Sequence, residues 1–273
     1  MDDIEHVELG GAGVPRVRIE YRRIAAERRA APLLVFLHEG LGSVAMWKDF
    51  PERLCTALGW RGLVYSRPGY GGSQALEPEP PWRPDFMHRE AHRVLPALLA
   101  ALGIDARSEP PWLFGHSDGG SIALLYAARW PDALAGAVVL APHILVEDLS
   151  VASIAQARRA YLEGGEGGLH ARLGRYHADV ERVFRRWSDI WLDPAFRDWS
   201  IEAEIATITC PLLAVQGLDD EYGTLEQVRG IARRVPQTAL LELPACGHSP
   251  QRDQPAALIA AVRDFVCRSQ LAS

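Results

Sequence analysis

Ser117 sits in Trp112-Leu113-Phe114-Gly115-His116-Ser117-Asp118-Gly119-Gly120-Ser121-Ile122-Ala123-Leu124-Leu125, and its surroundings make it a candidate nucleophile. A serine hydroxyl is a poor nucleophile until a base takes its proton and a third group holds that base in the right tautomer. Two downstream segments offer such groups. Gln216-Gly217-Leu218-Asp219-Asp220-Glu221 carries adjacent carboxylates, and Ala245-Cys246-Gly247-His248-Ser249-Pro250 carries an imidazole. Brought together, these side chains would take the proton off Ser117 and return it to a leaving group.

The elements that must position them can be read from the pattern. Trp112 to Gly115 is a short apolar run, a small-residue turn holds Ser117, and Ile122, Leu124, Leu125 and Ala128 follow at helical spacing. This is strand, sharp turn, helix, with Gly-x-Ser-x-Gly at the bend. The residues two before and two after the serine must be small, because such a bend is strained. It also aims the first helical amides at the space where an oxyanion would form. Leu33–Leu37, Leu63–Tyr65, Ala137–Leu140, Leu212–Val215 and Ala239–Leu243 are further apolar runs, the first continuously so, as in strands buried on both faces. Helical segments alternate with them over Trp47–Leu58, Asp85–Leu102 (disturbed at Pro96), Thr224–Arg234 and Gln254–Cys267. The alternation predicts right-handed crossovers and a parallel sheet with helices on both faces. Residues 5–24 alternate about a glycine-rich turn and predict an antiparallel hairpin at one edge, while Glu77–Pro84 is proline-rich and irregular. Both the acidic and the histidine segment then fall at strand carboxyl ends, the same edge as Ser117.

One interval breaks the rhythm. Residues 143–205 contain no convincing strand and are amphipathic and aromatic, with Tyr161, Tyr176, Phe184, Trp187, Trp191, Phe196 and Trp199. Open α/β sheets take ligands at the strand carboxyl ends, so this insertion is expected to form a helical lid there. The expected division is a core of residues 1–142 and 206–273 with a lid of residues 143–205. Gly164-Gly165-Glu166-Gly167-Gly168 then reads as a linker between lid helices.

Over nearly its whole length the chain resembles the α/β-hydrolase fold family. The likeness rests on the His38-Glu39-Gly40 turn, the Arg67-Pro68-Gly69-Tyr70-Gly71-x-Ser73 loop, the Ser117 bend, Gly217-x-x-Asp220 and Gly247-His248. The resemblance implies a serine hydrolase with Ser117 as nucleophile, His248 as base and Asp220 as the orienting acid, Asp219 being the fallback. It implies an oxyanion hole from the backbone amides of Asp118 and Gly40, with Leu41 the alternative because Glu39 stands where the family has glycine. It also implies that His38 is structural. Serine at the bend, where other members carry aspartate, speaks against an alkyl-enzyme.

An acidic residue in the oxyanion turn (Glu39) and one directly after the nucleophile (Asp118) could bind a substrate ammonium. The bend Ser117-Asp118-Gly119-Gly120 resembles that of valacyclovirase-like amino-acid ester hydrolases. His143, Trp187 and Trp191 are further candidates for lining a pocket, and the aromatic insertion suits a small or medium, largely apolar acyl substrate. The expected chemistry is ester hydrolysis of the carboxylesterase kind through an acyl-enzyme. The alternatives are cleavage of a carbon–carbon bond or of an aminoacyl ester or amide on the same triad, a cofactor-free oxygenase, and a receptor-like binder.

Composition narrows the partners. The net charge is -6, and no basic stripe with interleaved aromatics occurs, which argues against nucleic acid. No apolar run approaches the roughly 20 residues of a membrane helix. The opening residues lack a basic region followed by an apolar one, so no secretory signal is expected. Cys55, Cys210, Cys246 and Cys267 are scattered without metal spacing. Reduced thiols in a cytoplasm, no metal, no cofactor and a small-molecule substrate are therefore the expectation, with the oligomeric state left open.

Overall fold

The apolar five-residue runs become the middle of one sheet, and their uniform burial is what parallel strands covered on both faces require. In a computed structural model describing residues 4–11, 14–77 and 83–271, eight strands pair in the order β1-β2-β4-β3-β5-β6-β7-β8. They are β1 Glu5–Gly11, β2 Val14–Ile24, β3 Leu33–Leu37, β4 Arg61–Tyr65, β5 Trp112–His116, β6 Gly136–Leu140, β7 Leu212–Gly217 and β8 Ala239–Leu243. β1 and β2 form the antiparallel hairpin, β2 lies antiparallel to β4, and every later pairing is parallel.

Successive residues of a strand face opposite sides, so the sheet sorts its side chains into two cores. Leu34, Phe36, Phe114, Val138 and Val215 pack toward helices Phe50–Leu58 and Pro255–Leu271. Val35, Leu37, Leu113, Val139 and Ala214 pack toward helices Asp118–Arg129 and Glu226–Arg234.

Two elements depart from the expected pattern, both at prolines. The helix expected from Trp47 begins at Phe50, after a 3-10 turn Val44–Trp47 and a positive φ of 55° at Lys48. Pro51 lacks an N–H and is tolerated only in the first turn, which sets the start. The helix expected over Asp85–Leu102 runs as Phe86–Arg89, a π turn Glu90–Val94 and Leu95–Ala101. The wide turn just precedes Pro96, whose ring crowds the carbonyl one turn back. Most of Glu77–Pro84 lies outside the described residues.

Between β6 and β7 the chain runs through helices Asp148–Glu163, Leu169–Leu173, Val180–Leu192 and Glu202–Ile205. A single bridge, Leu145 with Ser200, closes the base of this insertion. Its apolar side chains Ile154, Phe184, Trp187, Trp191 and Phe196 join the second core, which seats the insertion on the strand carboxyl ends. Among the described residues no helix is long and apolar enough to cross a membrane.

Candidate active site

Ser117 stands at the break between β5 and the helix Asp118–Arg129 with φ 52° and ψ −119°. That backbone region strains any residue bearing a side chain and persists only where its surroundings enforce it. The enforcement is visible. The Ser117 N–H donates to the Leu140 carbonyl at 2.9 Å, and the Ser117 carbonyl accepts from Gly120 N–H at 2.8 Å. A methyl group at Gly115 would collide with the Gly119 carbonyl, and one at Gly119 with the carbonyls of Leu37 and His38. The glycines are thus demanded by backbone crossing at the bend.

Asp220 follows β7 and its side chain is 1% exposed. Oδ2 accepts from Gln216 Nε2 at 2.7 Å, and Oδ1 accepts from Tyr222 N–H at 2.8 Å. His248 Nδ1 lies 2.8 and 3.0 Å from the two carboxylate oxygens. Burial works against the charge on Asp220, but the His248 bond and the Tyr222 amide outweigh it and hold the carboxyl below its usual range. A carboxylate on Nδ1 demands the tautomer with its proton there, leaving Nε2 free to accept one. Asp219 is exposed. The backbone of His248 is fixed as well, its N–H donating to Glu221 Oε2 at 3.2 Å and its carbonyl bonded to His116 Nε2 at 2.7 Å.

Ser117 and His248 both border a cavity of about 260 Å³ under the insertion. Glu39, Gly40, His143, Trp187 and Trp191 border it too, so the expected lining residues converge there. Leu41, Met46, Ile154, Leu169 and Leu173 supply apolar wall. Tyr222, Glu221 and Arg252 complete the rim; sequence patterning gave no reason to select them, although Tyr222 lies two residues after Asp220. Asp118 is placed differently. Its carboxylate is 1% exposed, does not border the cavity, and lies 3.5 Å from Arg67 Nη2. Burial pushes its pKa up, and Arg67 opposes that shift.

Glu39 keeps a partly exposed carboxylate, with Oε2 3.5 Å from His116 Nδ1. Burial disfavours its charge, yet the hydrogen bond and charge of His116 hold the carboxyl down to about 2. His143 is buried, its Nε2 3.2 Å from the Tyr222 carbonyl, and burial with the neighbouring His248 lowers it to about 4. His38 is wholly buried between Arg67 N–H, 3.0 Å from Nε2, and the Glu39 carbonyl, 2.7 Å from Nδ1. Burial and Arg67 keep it far below the ordinary histidine range, as a neutral brace. His177 does not border the cavity; it bridges the Gly71 N–H and the Leu41 carbonyl at 3.0 and 2.8 Å.

The model of the alpha/beta hydrolase family matches residues 34–262, spanning the sheet from β3 onward, the Ser117 bend and both downstream loops. The chain is an α/β hydrolase. It is 22% identical over 257 residues to the 2-hydroxy-6-oxo-6-phenylhexa-2,4-dienoate hydrolase of Burkholderia cepacia, covering 85% of this chain and 87% of that one. Among solved structures it is similar to a thermophilic esterase from Thermogutta terrifontis, with TM-score 0.72, 21% identity and coverage of 97% and 99%. An enol-lactonase from Burkholderia xenovorans superposes with TM-score 0.72, 19% identity and coverage of 96% and 100%. This α/β hydrolase therefore shares the fold of hydrolases whose names cover different bonds, and a fold of this kind does not fix the substrate.

Proposed function

We propose that the protein is a serine acyl hydrolase of the carboxylesterase kind, acting on a small or medium, largely apolar ester. Ser117 attacks the carbonyl as His248 Nε2 takes its proton, and Asp220 holds the resulting imidazolium. The amides of Asp118 and Gly40 receive the oxyanion, His248 protonates the leaving alcohol, and water then hydrolyses the acyl-enzyme. The insertion of residues 143–205 serves as the cap that encloses the acyl group. The observation that carries this reading is the juxtaposition of a strained Ser117 with the Asp220–His248 pair on one cavity of about 260 Å³.

Charge in the cavity favours a neutral ester over an anionic dienoate of the kind the Burkholderia cepacia relative is named for. The carboxylates Glu39 and Glu221 border the cavity, and its one arginine, Arg252, lies at the exposed rim 3.0 Å from Asp253. A second reading, hydrolysis of aminoacyl esters, is supported by Glu39, whose ionised carboxylate could face a substrate ammonium. Asp118 gives it no support, being buried beside Arg67 and absent from the cavity lining.

The test is p-nitrophenol release from short-chain p-nitrophenyl esters by wild type and Ser117→Ala, followed by matched acyl and aminoacyl esters with Glu39→Gln. Turnover that vanishes in Ser117→Ala is expected, and equal activity in both proteins would refute the mechanism. A Glu39→Gln loss confined to aminoacyl esters would select the second reading.

A further inference from the structure

Arg67 follows β4 and is 1% exposed, a position where a guanidinium is costly unless its charge is paired. Its Nη2 donates to the Glu39 carbonyl at 2.9 Å and stands 3.5 Å from Asp118 Oδ2. Tyr70 lies beneath it, with the guanidinium carbon 4.5 Å from the ring centroid. The Arg67 N–H also donates to His38 Nε2, which places the His38 proton on Nδ1, where it meets the same Glu39 carbonyl at 2.7 Å. Gly42 N–H adds a third bond to that oxygen at 3.0 Å.

One carbonyl oxygen thus accepts from three donors. The peptide group is planar, and in its trans form the N–H points opposite to the C=O. Fixing the Glu39 carbonyl toward Arg67 and His38 therefore directs the Gly40 N–H the other way, and Gly40 is a residue that borders the cavity. No acceptor among the described residues takes the Gly40 N–H. Asp118 begins its helix, where an N–H has no partner within the helix. Its side chain is drawn to the same guanidinium.

We propose that Arg67 is the positioning residue of the oxyanion site, presetting the Gly40 amide through the Glu39 carbonyl and the Asp118 peptide through the Asp118 carboxylate. The inference rests on the acyl-transfer reading above, and it assigns Asp118 the role of counter-charge to Arg67. An oxyanion site speeds reaction only if its donors are aimed before charge develops, so loosening them costs transition-state binding and spares ground-state binding.

The experiment compares wild type, Arg67→Lys, Arg67→Met and the charge-balanced pair Arg67→Met with Asp118→Asn. Each is measured for kcat and KM on p-nitrophenyl acetate and for inhibition by a short trifluoromethyl ketone, whose hemiketal on Ser117 carries the oxyanion. KM reports ground-state binding, and circular dichroism with Tm reports folding. The expected result is a fall in kcat of about 100-fold, the size of losing one oxyanion donor, with a parallel loss of ketone affinity. KM stays within about threefold. If Arg67→Met fails to fold because Asp118 is left unpaired, Arg67→Lys and the balanced pair carry the comparison.

Folded variants with unchanged kcat and ketone affinity would overturn the proposal, as would a rise in KM alone. Failure of the underlying reading looks different: the wild type itself would neither hydrolyse the ester nor bind the ketone, or Ser117→Ala would keep its activity.

Discussion

Replacing Asp220 by Asn tests the acid directly, because the structure dictates how the new amide must sit. Tyr222 N–H donates to Oδ1, so the amide oxygen takes that side and can still accept from His248 Nδ1. The new NH2 then faces Gln216 Nε2, donor against donor, where the carboxylate accepted at 2.7 Å. Turning the Gln216 amide relieves that conflict but withdraws its donor from the Gly223 carbonyl, 2.9 Å away. The variant therefore keeps the imidazole roughly in place and loses the charge that stabilises imidazolium. With charge centres about 4 Å apart and an effective dielectric constant of about 20, that loss is about 4 kcal/mol, or about a thousandfold in kcat. Stopped-flow acylation by p-nitrophenyl acetate measures it, beside Asp219→Asn, whose exposed side chain predicts a change below threefold. A fall of less than tenfold for Asp220→Asn, or a larger one for Asp219→Asn, would refute the assignment.

Ser117→Gly removes a side chain from a strained backbone, so it is expected to exceed Ser117→Ala in stability by about 1 kcal/mol, a few degrees in Tm. Equal melting temperatures would contradict the strain argument. Gly119→Ala drives a methyl into the Leu37 carbonyl and is expected to cost about 1–3 kcal/mol, seen as a lower urea midpoint; an unchanged midpoint would refute it. His143, lowered to about 4, stays neutral in the folded protein while the unfolded chain protonates near 6.5. The unfolded state then binds more protons between those values, so stability is full above about pH 6.5 and falls as pH drops toward 4, by about 3 kcal/mol from this group. A His143→Gln variant should show a shallower decline of Tm with acid, and parallel curves would remove His143 as a cause.

Why the fold was legible and some details were not comes down to range. Leu33–Leu37 and Gly136–Leu140 advertise themselves by unbroken apolarity, and the alternation in β2 marks an antiparallel strand beside the edge, because burial acts residue by residue along a strand. The turns that carry Ser117, Asp220 and His248 were legible for a related reason, each being marked by glycine after a strand. Helix starts were less so. Backbone geometry at Lys48 and the π turn before Pro96 answer to packing that a linear pattern does not contain.

The polar braces around the site were the least legible part, since each joins segments far apart in sequence. Arg67 reaches Glu39, His177 reaches Leu41, and Ser150 Oγ and Ser153 Oγ donate to the carbonyls of Tyr222 and Glu221 beside Asp220. None of these bonds follows from periodicity, because a lone arginine, histidine or serine in a loop or helix has the same local pattern whether it faces water or a buried carbonyl. Their distribution nevertheless follows a physical rule. Loops at the strand carboxyl ends carry backbone groups that no strand pairing satisfies, and burying them under the insertion requires partners from it or from neighbouring loops. The residues that fill this need, Ser150, Ser153 and His177 from the insertion and Arg67 from the loop after β4, are thereby the ones that tie down the loop after β7 and the turn after β3. The order of the loops around Ser117 and His248 is, in this molecule, a by-product of satisfying the carbonyls that strand pairing leaves over.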